Sequence, residues 1–248
     1  MKAKFLLAII FILLTGINTR AQESDTIKFD YLTFYFNGQV AIPAKEFREV
    51  INNSVGDLGV GLAGGFLFSP FGQKKPSPIL LGVDIGYINY GVEKIGANSS
   101  NPAIKITHNI YSFDGMARLR NPNHHNKSIV PFIDGMLGLK LYNTRVKIDK
   151  NLIDVMFNND EEEVLDNVNN TGLNFGLGAG FYILPKKING AGFMMRVLYM
   201  WGDEVDYVVR NSVTLNNGTL TYETGKANTS MLTIQLGITG FAFSKLVK

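Results

Sequence analysis

Residues Thr171–Leu184 read TGLNFGLGAGFYIL. Leu173, Phe175, Leu177, Ala179, Phe181 and Ile183 alternate with Asn174, Gly176, Gly178 and Gly180. A period of two puts these sets on opposite faces of an extended strand. One face is broad and apolar; the other is asparagine and glycine. A glycine face has no side chains with which to fill a water-excluding core, so a soluble barrel, apolar inside and polar outside, does not fit. An apolar face turned to lipid around a narrow polar interior does. The stretch predicts a membrane-spanning β-strand.

Seven further segments repeat the pattern. Tyr31–Ala41 sets Leu32, Phe34, Phe36 and Val40 against Thr33, Tyr35, Asn37 and Gln39. Leu58–Phe68 sets Val60, Leu62, Phe66 and Phe68 against Gly59, Gly61, Ala63 and Gly65. The others are Ile79–Tyr90, Ile106–Arg120, Val130–Tyr142, Phe193–Trp201 and Met231–Phe243. Strands of about 9–11 residues span a bilayer when tilted, and only a closed sheet satisfies its backbone there. The expected fold is all-β: an eight-stranded antiparallel up-and-down transmembrane β-barrel over 31–243.

The connections alternate in length. Ser69–Ser77, Asn121–Ser128 and Pro185–Gly192 are short; Pro43–Gly56, Val92–Lys105, Asn143–Asn170 and Gly202–Thr229 are long. Short turns at one rim and long loops at the other fit such a barrel, with both termini on the periplasmic side. Trp201, Tyr199 and Tyr87 are expected at the outer aromatic girdle, Phe68 and Phe132 at the inner one.

Lys2 and Lys4, the apolar run Phe5–Leu14 and the small-residue site before Gln22 have the form of a cleavable signal peptide over 1–21. Short periplasmic tails are expected at 22–30 and 244–248. Three of the 24 basic residues lie in the leader, so the remainder equal the 21 acidic ones and leave no basic stripe for nucleic acid. The chain has no cysteine, which excludes disulfides, thiolate metal sites and lipid attachment at a cysteine.

The run LTFYFNG, residues 32–38, the glycine-rich second strand and the closing run QLGITGFAF, residues 235–243, carry a family likeness. Together they resemble the outer-membrane β-barrel domain proteins of Bacteroidetes, akin in architecture to the small OmpA, OmpX and OmpW barrels. The closing run is similar to the assembly signal of such barrels. It departs in that its aromatics sit one residue late and five residues follow. The resemblance implies residence in a bacterial outer membrane, surrounding lipid as partner, and the barrel assembly machinery during biogenesis.

Alternation points Asp84, Asp114, Arg118, Asp134, Lys140 and Arg196 inward. Charges inside a closed barrel must pair, so a network of salt bridges is expected, with a charged lining for solute passage as the other use. The stretch GVGLAG, residues 59–64, matches a dinucleotide fingerprint but lies inside a strand without the helix that chemistry needs. His124 and His125 fall in a short turn without further ligands. His108, with Ser112 one inward repeat below it, is the first residue to suspect in a lipid-modifying enzyme. The acidic residues Asp154, Asp160, Glu161, Glu162, Glu163 and Asp166 lack the calcium-loop pattern. Asp25-Thr26-Ile27 resembles a short O-glycosylation motif. No catalytic, metal or cofactor site is expected. The expected role is non-enzymatic: structural, or binding an envelope or extracellular partner through the loops Asn143–Asn170 and Gly202–Thr229. A small passive pore and a membrane enzyme are the alternatives.

Overall fold

The computed structural model describes residues 26–44, 46–48, 58–97, 102–122, 128–149, 163–184, 191–209, 211–216 and 219–247. Strands β1 (Thr26–Pro43), β2 (Gly59–Phe68), β3 (Ile79–Ile95), β4 (Ile104–Arg120), β5 (Ile129–Ile148), β6 (Val164–Ile183) and β7 (Ala191–Gly202) follow one another in a meander. After β7 come four short strands: β8 (Glu204–Val208), β9 (Thr214–Asn216), β10 (Thr219–Thr221) and β11 (Thr224–Asn228). Strand β12 (Met231–Val247) returns to pair with both β7 and β1, closing an antiparallel ring of eight strands in the order β1-β12-β7-β6-β5-β4-β3-β2.

The faces follow the alternation. Leu137, Leu177, Leu236 and Ile238 on the outer surface are each about 60% exposed, whereas their inward neighbours Met136, Thr239 and Gln235 are buried. Trp201, Tyr199 and Phe175 form an aromatic group on the outer face, with Phe175 stacked on Trp201 at 5.2 Å. Phe132 is a correction: it is 3% exposed and points into the lumen. Its parity with Asp134 and Met136 dictates this, and a girdle position would require the opposite face.

Three further readings change. The ladder between β1 and β12 runs from Thr26↔Val247, so strand occupies most of the tails expected at 22–30 and 244–248. Strands β3 to β6 reach beyond the expected spans, to Ile95, Ile104, Ile148 and Val164, which shortens two of the long loops. The stretch Gly202–Thr229 is folded rather than open: β8 pairs with β11 and β9 with β10. Residues 1–21, expected as a signal peptide, together with His124, His125 and most of the acidic stretch, lie outside the described residues.

Candidate functional site

The lumen is filled in layers. At the end bearing the short turns, Asp30 pairs with Arg120 and also accepts from Thr33 Oγ1 at 3.0 Å. Above lie Val130, Leu67, Leu80 and an aromatic group in which Tyr182 meets Phe132 at 4.8 Å and Phe241 at 5.2 Å. The Arg118 guanidinium sits 3.7 Å over the Phe132 ring, a cation–π contact shielded from water.

The middle layer is polar. Arg118 grips Asp134 through two parallel bonds, Nε to Oδ1 at 2.6 Å and Nη2 to Oδ2 at 2.7 Å, and also donates to Tyr182. This bidentate fork is the strongest geometry available to the pair. Arg196 bridges two carboxylates, Asp84 at 2.6 Å and Asp134 at 3.2 Å. It donates to Gln235 Oε1 as well, at 2.5 and 3.0 Å. Tyr35 donates to Asp84; Gln235 donates to Gln39 at 2.9 Å and accepts from Asn37 at 3.2 Å. One connected set of bonds therefore ties β1, β3, β4, β5, β6, β7 and β12 across the bore.

Of the six inward charges, Asp84, Arg118, Asp134 and Arg196 are brought together directly. Asp114 stands beside them, accepting from Asn174 Nδ2 at 2.7 Å. Lys140 is not in the hydrogen-bonded set: its Nζ is buried without such a partner among the described residues, and Asp114 acts on it only through space. Alternation had already placed Tyr35, Asn37, Gln39, Asn174 and Gln235 on the inner face, but nothing in the sequence says which charge each meets. The Asp30–Arg120 pair was missed because Asp30 was assigned to a tail.

Glycine leaves room where large groups cross the bore. A Cβ on Gly65 would stand 2.5 Å from the Tyr35 hydroxyl, and one on Gly180 2.6 Å from the Phe132 ring. The inner face is thus not glycine alone; it is glycine beneath the large side chains of neighbouring strands.

Towards the long-loop end the lumen becomes apolar again. Phe47, from a helical turn at 46–48, is inserted 5.9 Å from both Tyr90 and Tyr142. Around it, Ala41, Pro43, Gly59, Ile88, Ile110 and Met231 leave a cavity of about 10 Å³, room for one water. Beyond this plug, Ile104, Ile106 and Val146 pack against Val208 and Val213 of the β8–β11 segment, with Ile95, Val168, Leu215, Leu220 and Tyr222 around them. The segment is a cap with its own small core.

The cap is fastened to the wall at His108. The imidazole is fully buried, with Nε2 2.9 Å from Glu93 Oε1 and Nδ1 3.1 Å from Thr144 Oγ1. Glu93 Oε2 accepts from the backbone amide of Asn211, at 2.8 Å, where the chain turns with φ of 61°. Carboxylate, imidazole and hydroxyl stand in the order of a hydrolytic relay. The Thr144 hydroxyl is buried and the carboxylate also holds a backbone amide of the cap, so the row latches the cap to the wall. Ser112, expected to serve His108, lies two inward positions away with Ile110 between them, beside Gly86 and Gln39.

No protein-family model matches the chain, and no curated protein matches it in sequence. The narrower likeness to the Bacteroidetes family therefore has no family model behind it. Solved structures match the fold. A major outer membrane protein from Thermus thermophilus aligns over 85% of this chain and 99% of its own, with a TM-score of 0.50 at 7% identity. Neisserial surface protein A aligns over 89% and 99%, with a TM-score of 0.41 at 11% identity. OprG from Pseudomonas aeruginosa aligns over 91% and 100%, with a TM-score of 0.42 at 13% identity. The closed antiparallel ring of this chain is thus a fold it shares with the Thermus thermophilus outer membrane protein.

Proposed function

We propose that the chain stands in a bacterial outer membrane as a non-enzymatic barrel, closed to solutes, that presents a folded cap to a partner in the envelope or outside the cell. The observation that carries this reading is the content of the lumen. Arg118 and Arg196 are fully buried: Arg118 pairs with Asp134 on the neighbouring strand, and Arg196 reaches across the bore to Asp84 and also holds Asp134, with apolar layers above and below. An eight-stranded barrel is only wide enough for side chains to fill, and here they fill it. The outer belt of Phe36, Ile85, Phe113, Leu137, Leu177 and Leu236, each more than half exposed, supports lipid as the surrounding medium.

The cap supports an interaction role. The latch and the small core hold it in one shape, which lowers the ordering cost of binding compared with a free loop. The test of closure is single-channel recording of the purified barrel in a planar bilayer, where the expected result is silence; steady openings of porin size overturn it. The test of the interaction role is crosslinking in intact outer membranes, compared with a variant in which 204–228 is replaced by a short linker. Loss of specific crosslinks in that variant is expected. An unchanged crosslinking pattern overturns the interaction role.

A further inference from the structure

The apolar belt ends differently at the two rims. At the long-connection end, β3, β4, β5 and β6 run on past the outward aromatic row of Tyr87 and Tyr111, to Ile95, Ile104, Ile148 and Val164. At the short-turn end the belt reaches the turns themselves. Phe68, Ile79, Leu119, Ile129, Ile183 and Phe193 are each more than 40% exposed, and all but Leu119 and Phe193 are the terminal residue of their strand. Among the described residues, only the β1–β12 ladder continues beyond. Side chains on these turns therefore lie in the headgroup layer of a bilayer that surrounds the belt.

The β2–β3 turn, 69–78, is fixed by its own bonds. Gly72 N donates to Ser69 O at 2.9 Å, Phe71 N to Ser69 Oγ at 3.3 Å, and Lys74 N to Phe71 O at 3.2 Å. Gly72 has a φ of 57°, which glycine adopts without strain. Phe71 is 44% exposed, three residues past the end of the belt at Phe68. Lys75 Nζ sits 4.1 Å over its ring, and Lys74 is exposed beside it. An exposed ring with an ammonium on its face suits the depth at which acyl chain gives way to phosphate.

Little negative charge is at hand to answer these cations. Neither Lys74 nor Lys75 has an ion-pair partner among the described residues. The three short connections, 69–78, 121–128 and 185–190, hold Lys74, Lys75, Lys127, Lys186 and Lys187 and no aspartate or glutamate. On β1, beside the turn, Asp30 is buried and paired with Arg120 of β4. Lys28 and Lys245, opposite each other in the β1–β12 ladder, add positive charge. Glu23 and Asp25, ahead of β1 in sequence, are the competing internal counter-anions.

We propose that Phe71, Lys74 and Lys75 bind an anionic phospholipid of the inner leaflet, with the two ammonium groups on its phosphate and the ring beside its glycerol. The inference rests on the belt standing in the outer membrane with the short turns at the periplasmic side.

The experiment puts a reporter at the site. Phe71→Trp in a Trp201→Phe background leaves one indole, on the turn. The full chain is reconstituted in vesicles of phosphatidylcholine and phosphatidylglycerol in varied ratio, with the acyl chains of one or the other brominated near the glycerol. Quenching gives the relative affinity of the two lipids for the place beside that indole. A preference for phosphatidylglycerol of at least about threefold is expected, the size left to two interfacial cations after screening. Adding K74Q/K75Q should bring the ratio close to one while the barrel keeps its heat-modifiable gel mobility. If that variant does not fold, Lys75→Gln alone should lower the ratio. E23Q/D25N should leave the preference unchanged or raise it, and soluble glycerophosphate should not compete. A ratio near one before the lysines are changed overturns the proposal, as does a preference that survives their loss. A preference that emerges only when Glu23 and Asp25 are neutralised overturns it too, because the tail is then the counter-anion. Competition by glycerophosphate overturns it in favour of a free phosphate ester, and absence of quenching by either lipid removes the turn from the headgroup layer. Failure of lipid brominated in mid-chain to quench Trp201 in the unaltered chain defeats the placement of the belt in lipid instead, and is scored separately.

Discussion

Replacing Arg196 by alanine tests the lumen network at its most connected point. The guanidinium is fully buried and holds Asp84 at 2.6 Å, Asp134 at 3.2 Å and Gln235 at 2.5 Å. Removing one partner of a buried ion pair costs about 3–5 kcal/mol, because the remaining charge is left uncompensated. The two carboxylates do not suffer equally. Asp134 keeps its bidentate contact with Arg118. Among the described residues, Asp84 keeps only the Tyr35 hydroxyl as a hydrogen-bond partner. The penalty is therefore one orphaned carboxylate, about 3 kcal/mol, at the low end of that range. The argument makes an asymmetric demand on the double variants. Adding Asp84→Asn to Arg196→Ala removes the orphaned charge and should restore about half the loss or more. Adding Asp134→Asn should restore nothing and cost more, because it strips Arg118 of its partner. Trp201 is the single tryptophan and lies on the outer face beside Phe175 and Tyr199. Its fluorescence reports unfolding by denaturant in lipid vesicles. The reasoning is refuted if Arg196→Ala lies within about 0.5 kcal/mol of wild type, or if Asp134→Asn rescues it better than Asp84→Asn.

Three further outcomes are expected. Gly180→Val drives a Cβ to 2.6 Å from the Phe132 ring and should cost about 1–3 kcal/mol, whereas Gly135→Ala, where nothing lies within 4 Å, should change stability by less than about 0.5 kcal/mol in the same unfolding assay. Leu177→Arg places a charge on the outer face, where Leu177 is 59% exposed; if the belt stands in lipid it should cost about 2–4 kcal/mol in vesicles, and a neutral result there would argue for water at that face. Glu93→Ala removes the acceptor of the Asn211 amide and the partner of His108, so limited proteolysis should cut the cap between 209 and 223 faster while the barrel keeps its gel mobility; an unchanged cleavage rate would show that the apolar core of the cap suffices.

The strands and their faces are written locally. In 171–184, each second residue is apolar and each other is small or polar, and a pleated strand can read that order in only one way. The same parity already placed Asp84, Asp114, Arg118, Asp134, Lys140 and Arg196 inside, and it should have placed Phe132 there with them. Which charge meets which is another matter. Asp84 and Arg196 are 112 residues apart, and they touch because the closed ring sets them across the bore from one another. Lys140 has the same inward parity and finds no hydrogen-bond partner among the described residues, so parity alone does not pair charges. The cap was illegible for a related reason. Val205, Tyr207-Val208-Val209, Val213 and Leu215 make only short apolar runs between charged and turn residues, too short to announce strands. Val208 and Val213 become a core only when the ring brings Ile104, Ile106 and Val146 beneath them. Local alternation determined the barrel and the side of the wall on which each residue stands. The pairings inside and the fold of the cap are contacts between residues far apart in the chain, and closure and strand register alone decide those.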